Sequence, residues 1–297
     1  MPWIQIRFQT LLDQVEPLED LLLELGASAV TLMDGADQPV FEPIRGTTPL
    51  WDKTQVIGLF DGETNIEEIF NQIALTYQVN GLALPEGKAE ILEDKDWERE
   101  WMEHFHPIQC GDRLWITPSW REPPDENAVN LMLDPGLAFG TGTHPTTFMC
   151  LKWLDKHDAL VKDAKVVDYG CGSGILGIAS LLLGATNFVG VDNDPQAIIA
   201  TKENALRNKI DESTYTVHLP EDFTPFQADI VLANILAGPL ISLNEGITGT
   251  LKSGGKLVLS GILNHQYQQV IDAYSHCIDF DPIKEQDEWV CLSGTKK

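Results

Sequence analysis

The chain has 297 residues, 43% of them hydrophobic, which is enough for two folded domains and excludes a disordered protein. Its formal net charge is −25, from 45 acidic and 20 basic residues, and a field of that sign repels nucleic acid and argues against RNA or DNA as a direct substrate. No apolar run approaches the roughly 20 residues that span a bilayer, and the first residues lack a signal peptide's pattern, so we expect a cytoplasmic protein with no membrane partner.

Residues 1–92 predict a ferredoxin-like α+β domain of order βαββαβ. An alternating strand over 3–8 precedes apolar residues at helical spacing from Leu11 to Leu25, and Gly26 ends that helix. Strands, helix and strand then follow over 27–34, 53–60, 65–77 and 88–92. Up to Asp94 there are 17 acidic and 4 basic residues, which is consistent with either a solvated surface or a docking surface for a basic partner.

Residues 93–120 predict a linker, made of a charged helix with Trp97 and Trp101 on one face and a connecting strand. His104 and His106 have no acidic or cysteine ligand at a matching spacing, so packing is the expected role of both. The five cysteines include no CxxC pair, and they are Cys110, Cys150, Cys171, Cys277 and Cys291. We therefore expect no metal site and no disulfide framework.

Residues 121–297 alternate strands and helices, which is typical of a doubly wound α/β domain. The predicted helices cover 145–157, 175–183, 195–208, 239–250 and 266–276. The predicted strands cover 165–169, 188–192, 214–219, 229–234 and 256–261, and two more close the chain. In such a sheet, ligands bind at the carboxyl ends of the strands, where Gly170, Asp192 and Asn234 fall.

The stretch "VVDYGCGSGILGIA", Val166 to Ala179, runs from a strand through alternating glycines into a helix. Glycines at such a turn let the backbone approach a ligand, and the helix start offers free N–H groups. The dinucleotide fingerprint matches formally at Gly172, Gly174 and Gly177, but the strand ends just before Gly170, so the register is poor. Asp168 would meet a pyrophosphate as a like charge, whereas it would tolerate a cofactor with a cationic end.

Asp192 ends the next strand, where a carboxylate can accept two hydrogen bonds from a ribose diol. The alternative, that Asp192 caps the following helix, is weaker because Asp194 fits the N-cap position better. Asp168, the glycines and Asp192 together favour S-adenosylmethionine, which combines adenosine with a sulfonium amino acid and has no pyrophosphate.

Asn234 ends a buried strand in "ADIVLANILAGPL" and is followed by apolar residues instead of a charged catalytic group. Methyl transfer to an amine is an in-line displacement that mainly requires alignment of nitrogen, methyl and sulfur. An amide oxygen and adjacent backbone carbonyls can hold the N–H bonds of the amine. Capping of the next helix is the alternative role for Asn234.

The segment "LMLDPGLAFGTGTHPTT", Leu131 to Thr147, packs three glycines and four threonines around Phe139 and His144 before a helix starts at Pro145. So dense a run predicts a lid over a small ligand, with a flexible surface loop as the alternative. His144 is a candidate for relaying the proton of a substrate ammonium, a task that bulk water can also perform.

These stretches resemble the bacterial methyltransferase family that modifies the eleventh protein of the large ribosomal subunit. The similar stretches occur in that family's order, from about Glu93 to the C-terminus: "DWEREWMEHFHP", "LWITPSW", "LDPGLAFGTGTHPTT", "DYGCGSGIL" and "NILAGPL". The resemblance implies a seven-stranded Rossmann-like core and S-adenosylmethionine as methyl donor. It also implies methylation of lysine ε-amines and the N-terminal α-amine of that basic ribosomal protein, with the N-terminal domain recognising it.

By motif position, the resemblance places the cofactor contacts on Thr147, Gly170, Asp192 and Asn234, with Phe139 in the lid. Thr146 is an alternative to Thr147, and Gly172 of the glycine turn completes the predicted cofactor-binding set. The predicted catalytic residues are Asn234 and His144.

Three other classes remain open. A methyltransferase of nucleic-acid adenine or of a glutamine side chain would be expected to carry N-P-P-[YFW] where this chain has "NILA". An NAD-dependent oxidoreductase would need a turn compatible with pyrophosphate, against which Asp168 counts. A non-catalytic binding module would need neither Asn234 nor the lid.

Overall fold

The computed structural model describes residues 2–36, 38, 40, 49–92, 105–134, 140 and 142–297. The chain divides into two compact units, Met1–Met102 and Glu103–Lys297. The predicted linker helix with Trp97 and Trp101, the side chain of His104 and the lid residue Phe139 all lie outside the described residues. No helix among the described residues is long and apolar enough to cross a membrane.

The first unit has the predicted order βαββαβ. Its antiparallel sheet has the order β2-β3-β1-β4, with β1 at Trp3–Leu11, β2 at Ala29–Asp34, β3 at Lys53–Asp61 and β4 at Glu86–Leu92. The two helices are Val15–Glu24 and Ile66–Val79. Leu11 is part of the strand and not of the helix, because β1 stays paired with β3 as far as Leu11 opposite Lys53.

One face of this sheet holds the core of the first unit. Alternate residues of β1 point to that face, and Ile4, Ile6 and Phe8 are buried there. They share one apolar cluster with residues at helical spacing, which include Val15, Leu18 and Leu22 of the first helix and Ile69, Ile73 and Tyr77 of the second. The ferredoxin-like pattern thus follows from strand and helix periodicities that bury one common face.

The second unit is built on a sheet in which eight strands are described, in the order β10-β9-β8-β11-β12-β15-β13, with β14 paired to β15. The strands are β8 Lys165–Tyr169, β9 Asn187–Val191, β10 Tyr215–His218, β11 Ala228–Asn234, β12 Leu251–Leu263, β13 Ile278–Phe280, β14 Lys284–Gln286 and β15 Trp289–Lys296. Strands β8 to β12 pair in parallel, and β15 runs antiparallel to β12. The seven strands of the main path confirm the predicted Rossmann-like core.

Helices cover the two faces of this sheet, and a small sheet precedes it. The helices are Pro145–Lys156, Asp158–Val161, Ile175–Leu182, Pro195–Arg207, Ala237–Ser242, Asn244–Thr250 and Tyr267–Tyr274. The small sheet consists of β5 Ile108–Gln109, β6 Leu114–Thr117 and β7 Val129–Met132. Leu114 and Ile116 of β6 are buried in the same cluster as Leu151 and Leu154, so this small sheet packs into the second unit.

Besides Leu11, elements of the second unit differ from the sequence prediction. The helix predicted over 239–250 is two helices, because the side-chain amide of Asn244 donates to the Ile241 carbonyl at 2.6 Å and ends the first one. The end of the chain forms three strands instead of two, since β14 adds a short pairing with β15. Neither difference changes the edge of the sheet at which β8, β9 and β11 end.

The strand order reverses beside β8, whose neighbours β9 and β11 lie on opposite sides. In open α/β sheets the crevice at such a switch point is the usual ligand site. The carboxyl ends of the three strands carry Asp168, Asp192 and Asn234 to this crevice.

Candidate active site

The turn after β8 is a tight loop that depends on glycine. Gly170, Gly172 and Gly174 have φ values of +72°, +54° and +78°, in the left-handed region that favours glycine. The Gly170 N–H donates to the Val191 carbonyl at 2.7 Å, which ties the turn to the end of β9. A Cβ on Gly170 would lie 2.2 Å from Cγ2 of Ile235, so a side chain there would displace the segment that follows Asn234.

Side chains of the helix Pro195–Arg207 hold the turn from behind. Thr201 Oγ1 donates to the Gly172 carbonyl at 3.0 Å, and Asn204 Nδ2 donates to the Ser173 carbonyl at 2.8 Å. Thr201 is fully buried and Asn204 is 7% exposed, so both bonds are shielded from water. The turn is therefore rigid before any ligand binds, which lowers the entropy cost of binding.

Asp192 lies directly after β9 and bridges two loops. Its carboxylate accepts from the Gly172 N–H at 2.9 Å and from the Asp194 N–H at 3.0 Å. A carboxylate has about four acceptor positions, so two remain for a ribose diol. Asp194 accepts from the Gln196 N–H at 2.9 Å and is the N-cap, which confirms that capping is not the role of Asp192.

Asp168 is a buried carboxylate under the glycine turn, 1% exposed. Neither of its oxygens has a hydrogen-bond partner of normal geometry among the described residues. Desolvation raises the pKa of Asp168 to about 7, a weak interaction with the backbone N–H of Gly177 opposes the rise, and the charge of Asp192 adds to it. An unpartnered acid of this kind suits a cationic ligand and disfavours a pyrophosphate.

Asn234 and Thr147 are 87 positions apart and meet in the structure. The Asn234 side-chain amide donates to Thr147 Oγ1 at 3.0 Å, and Thr147 is fully buried. The amide oxygen of Asn234 is buried and has no partner among the described residues. The following helix has Leu236 at its N-cap, so Asn234 does not cap it. An amide oriented by one bond, with its oxygen unused, suits the acceptance of a substrate N–H.

The segment after Asn234 lies between two glycines, Gly170 of the turn after β8 and Gly261 of β12. Gly261 has φ +82°, and a Cβ on it would lie 2.4 Å from the carbonyl oxygen of Ile235. It lies where the register between β12 and β15 shifts, between Leu259 and Ile262. Sequence reasoning missed Gly261, although an isolated glycine inside a strand pattern is a signal of close backbone approach.

His144 starts the helix Pro145–Lys156 and caps it. Its Nδ1 lies 2.8 Å from Thr146 Oγ1, and its ring packs edge-on against Trp289 with centroids 4.9 Å apart. Thr146 thus bonds to His144, while Thr147 bonds to Asn234. Desolvation lowers the pKa of His144 despite the opposing charge of Glu288, which favours the neutral ring. Its catalytic role stays a prediction.

The described part of the predicted lid approaches the glycine turn. Ser173 Oγ donates to the Gly140 carbonyl at 2.7 Å. A Cβ on Gly142 would lie 2.1 Å from Cδ1 of Ile116, so this glycine allows the segment to lie against β6. Phe139 lies outside the described residues, and its contact with a cofactor stays a prediction.

Gly177, the third glycine of the formal dinucleotide fingerprint, packs closely against β9. A Cβ there would lie 2.1 Å from the ring of Phe188. Dinucleotide-binding folds use their third glycine in the same way, so this close packing does not distinguish a site for NAD from a site for S-adenosylmethionine. The buried carboxylate of Asp168 does distinguish them, because it opposes the pyrophosphate of NAD.

The donor set fits S-adenosylmethionine. Asp192 would hold the ribose, Gly170 and Gly172 would let the cofactor approach the backbone, and Asp168 would face a cationic end. Among the described residues no group of three or more His, Cys, Asp or Glu could hold a metal ion. Together, the Rossmann-like fold and this site define an S-adenosylmethionine-dependent methyltransferase.

Comparison with known proteins agrees with that class. The family model "Ribosomal protein L11 methyltransferase (PrmA)" matches residues 2–297. Relatives described as ribosomal protein L11 methyltransferase include one from Saccharophagus degradans, 53% identical over 297 residues and covering all of both chains. Another, from Marinomonas sp., is 57% identical over 296 residues and covers 100% of this chain and 99% of its own. The chain belongs to the ribosomal protein L11 methyltransferase family.

A solved structure supports the same assignment over part of the chain. The ribosomal protein L11 methylase from Lactobacillus delbrueckii subsp. bulgaricus is 32% identical, with a TM-score of 0.57, and covers 65% of this chain and 100% of that chain. The family model also includes the first unit, which the motif resemblance did not reach.

Proposed function

We propose that this chain transfers methyl groups to lysine ε-amines and to the N-terminal α-amine of ribosomal protein L11, in the cytoplasm and without direct contact to nucleic acid or membrane. The observation that carries the proposal is the Asn234 amide, held by Thr147 at 3.0 Å with its oxygen unpartnered among the described residues. This arrangement suits the positioning of an amine N–H, because an amide oxygen accepts a hydrogen bond without the charge that would bind an ammonium tightly.

S-adenosylmethionine supplies an activated methyl group on its sulfonium. The residues proposed to hold it are Thr147, Gly170, Gly172, Asp192 and Asn234, together with Phe139. Asp192 orients the ribose, while the braced glycine turn fixes the backbone against which the cofactor lies. Asp168 adds a carboxylate behind that turn.

The acceptor amine must lose a proton before it can attack. A lysine of pKa about 10.4 is protonated at neutral pH, and deprotonation in water costs roughly 4–5 kcal/mol. A narrow apolar site lowers this cost because it desolvates the ammonium. Ile235 and Leu236, which follow Asn234, are proposed as the apolar walls of that site, and His144 is a candidate acceptor for the released proton.

Residues 1–92 are proposed as the substrate-recognition domain, 93–120 as the linker and 121–297 as the methyltransferase domain. The helices Val15–Glu24 and Ile66–Val79 contain no lysine or arginine. Glu16, Asp20 and Glu24 are exposed and follow one another at intervals of four on one side of the first helix. These carboxylates repel each other in the free protein, so a basic protein gains most by docking here.

The direct test is mass spectrometry of purified ribosomal protein L11 incubated with the enzyme and S-adenosylmethionine. We expect mass increments of methyl groups on lysines and on the N-terminal residue. Methylation confined to glutamine, or to RNA supplied in parallel, would overturn the proposed acceptor.

The domain proposal is tested in the full chain. The variant Glu16→Gln/Asp20→Asn/Glu24→Gln should lower kcat/KM for ribosomal protein L11 and leave cofactor affinity unchanged. A matched triple variant in the second unit, Glu203→Gln/Glu212→Gln/Glu221→Gln, should change neither value. Equal kcat/KM for the two triple variants would mean that the acidic helix is only a solvated surface.

A further inference from the structure

The second unit contains a basic cavity whose lining includes none of the residues of the site described above. It has a volume of about 600 Å³ and lies where the helix Pro145–Lys156 packs against β14 and β15. Its lining includes Lys152, Lys156, Lys256 and Lys284. Four of the chain's 20 basic residues therefore line one cavity, in a protein with 45 acidic residues.

These lysines line the same cavity and form no ion pairs among the described residues. Within the described part of the chain, the side chains of Lys152, Lys156 and Lys284 make no hydrogen bond, and the side chain of Lys256 donates to Thr295 Oγ1 at 2.7 Å. Lys152 and Lys156 also lie one helical turn apart, a spacing at which like charges repel. An anion that binds between them would relieve this repulsion.

Two carboxylates also line the cavity and limit its positive charge. Asp281 accepts from Ser293 Oγ at 2.8 Å, and Glu285 lies on the edge strand β14. Four ammonium groups against two carboxylates leave a net positive charge. That sign is opposite to the net charge of the whole protein.

One wall of the cavity is flat and largely apolar. The ring of His157 stacks on Trp153 with centroids 4.4 Å apart and an interplanar angle of 27°. The His157 ring is held in place because its Nδ1 lies 2.8 Å from the Trp153 carbonyl oxygen. Met149 and Leu160 extend the apolar lining. A ligand matched to this cavity has an anionic part for the lysines and a flat part for the wall.

Size and charge distinguish a small ligand from a long polyanion. A cavity of about 600 Å³ is in the size range of small-molecule sites, and it is open to solvent, with Lys152, Lys156 and Lys284 exposed. A nucleic-acid strand would extend over the surface, where a net charge of −25 repels it. Lysine ammonium groups are point charges suited to phosphate oxygens. We infer that this cavity binds a small phosphorylated ligand with a planar group, the chemistry of a nucleoside diphosphate.

The test is isothermal titration of the full chain with ADP, in the presence of saturating S-adenosylhomocysteine so that the adenosine site of the methyltransferase is filled. The variant Lys152→Gln/Lys156→Gln should weaken ADP binding about tenfold or more. The control Lys88→Gln/Lys162→Gln removes the same charge from exposed positions outside the cavity and should leave the ADP affinity within about twofold of wild type.

Four results would overturn the inference. If ADP fails to bind the wild type, or binds both double variants equally, the lysine cavity is not its site. If pyrophosphate binds as tightly as ADP, the flat wall has no role in recognition. A single-stranded RNA that binds more tightly than ADP, and is weakened by the same lysine variant, would replace the small ligand by a nucleic acid.

Discussion

Replacement of Asp168 by asparagine tests the buried carboxylate in two independent ways. Burial raises the pKa of Asp168 from 3.8 to about 7, a difference of about 3 units, which corresponds to about 4 kcal/mol at pH values above both pKa values. The sign follows from the raised pKa. Between pH 4 and 7 the folded protein holds a proton that the unfolded chain has released, so the contribution of Asp168 to stability falls as the pH rises.

The variant Asp168→Asn keeps the shape of the side chain and removes this titration. The stability of Asp168→Asn minus that of wild type should therefore increase between pH 5 and pH 8 by about 2–3 kcal/mol, because part of the full difference has already developed below pH 5, and the unpaired amide adds only a constant offset. Urea denaturation of both proteins at several pH values measures it, since other ionisable groups cancel in the difference. A difference that stays constant with pH would refute the assignment of the raised pKa to Asp168.

The second readout is cofactor binding. A cationic ligand close to Asp168 favours the ionised carboxylate, so binding near pH 7 should release a fraction of a proton in the wild type. Calorimetry in buffers of different ionisation enthalpy should detect this release for S-adenosylmethionine, and it should be absent in Asp168→Asn. If Asp168→Asn is more stable than the wild type at pH 8 and binds S-adenosylmethionine more weakly, the carboxylate that lowers stability is also the group that favours cofactor binding.

Three more substitutions test the rest of the site. Asp192→Ala should weaken S-adenosylhomocysteine binding by about 1–3 kcal/mol in calorimetry. Asp192→Asn should lose less binding free energy, because it keeps an acceptor for the Gly172 N–H. Equal affinity in the wild type and both variants would show that Asp192 does not hold the ribose. Asn234→Ala should lower kcat about 100-fold while unfolding changes by only about 1 kcal/mol, and a near-normal kcat would show that the amide does not position the amine. Gly261→Ala should lower kcat and cost about 1–3 kcal/mol of stability because its Cβ meets the Ile235 carbonyl, whereas Gly249→Ala, with open space around it, should do neither.

Much of the fold could be predicted because local patterns and tertiary burial agree. Strand β8 was predicted with its observed bounds, since "KVVDY" is a short apolar run bounded by a turn and buried on both faces. The helix starting at Pro195 has both a proline at its first position and an aspartate cap in the sequence. The division of the helix over 239–250 depends on an asparagine side chain turning back to a carbonyl, which periodicity does not report.

The site was predictable only in part, because its members come together through long-range packing. The strand-end positions of Asp192 and Asn234 followed from the doubly wound pattern. The bond between Asn234 and Thr147 joins residues 87 positions apart, and only the packing of the helix Pro145–Lys156 against β11 and β12 brings them together. Gly261 was missed because its constraint is the close approach of a different strand's backbone.

The features at this edge of the sheet share an energetic character that argues for their role. The carboxylate of Asp168 and the amide oxygen of Asn234 are buried without a hydrogen-bond partner among the described residues. The glycine turn needs positive φ at three positions. Each of these features lowers the stability of the free protein. Folds retain such features where a ligand supplies the missing interactions, and here all three occur where β8, β9 and β11 end. Stabilising substitutions at these positions should therefore reduce methyl transfer, whereas stabilising substitutions in the apolar clusters on either side of the sheet should not.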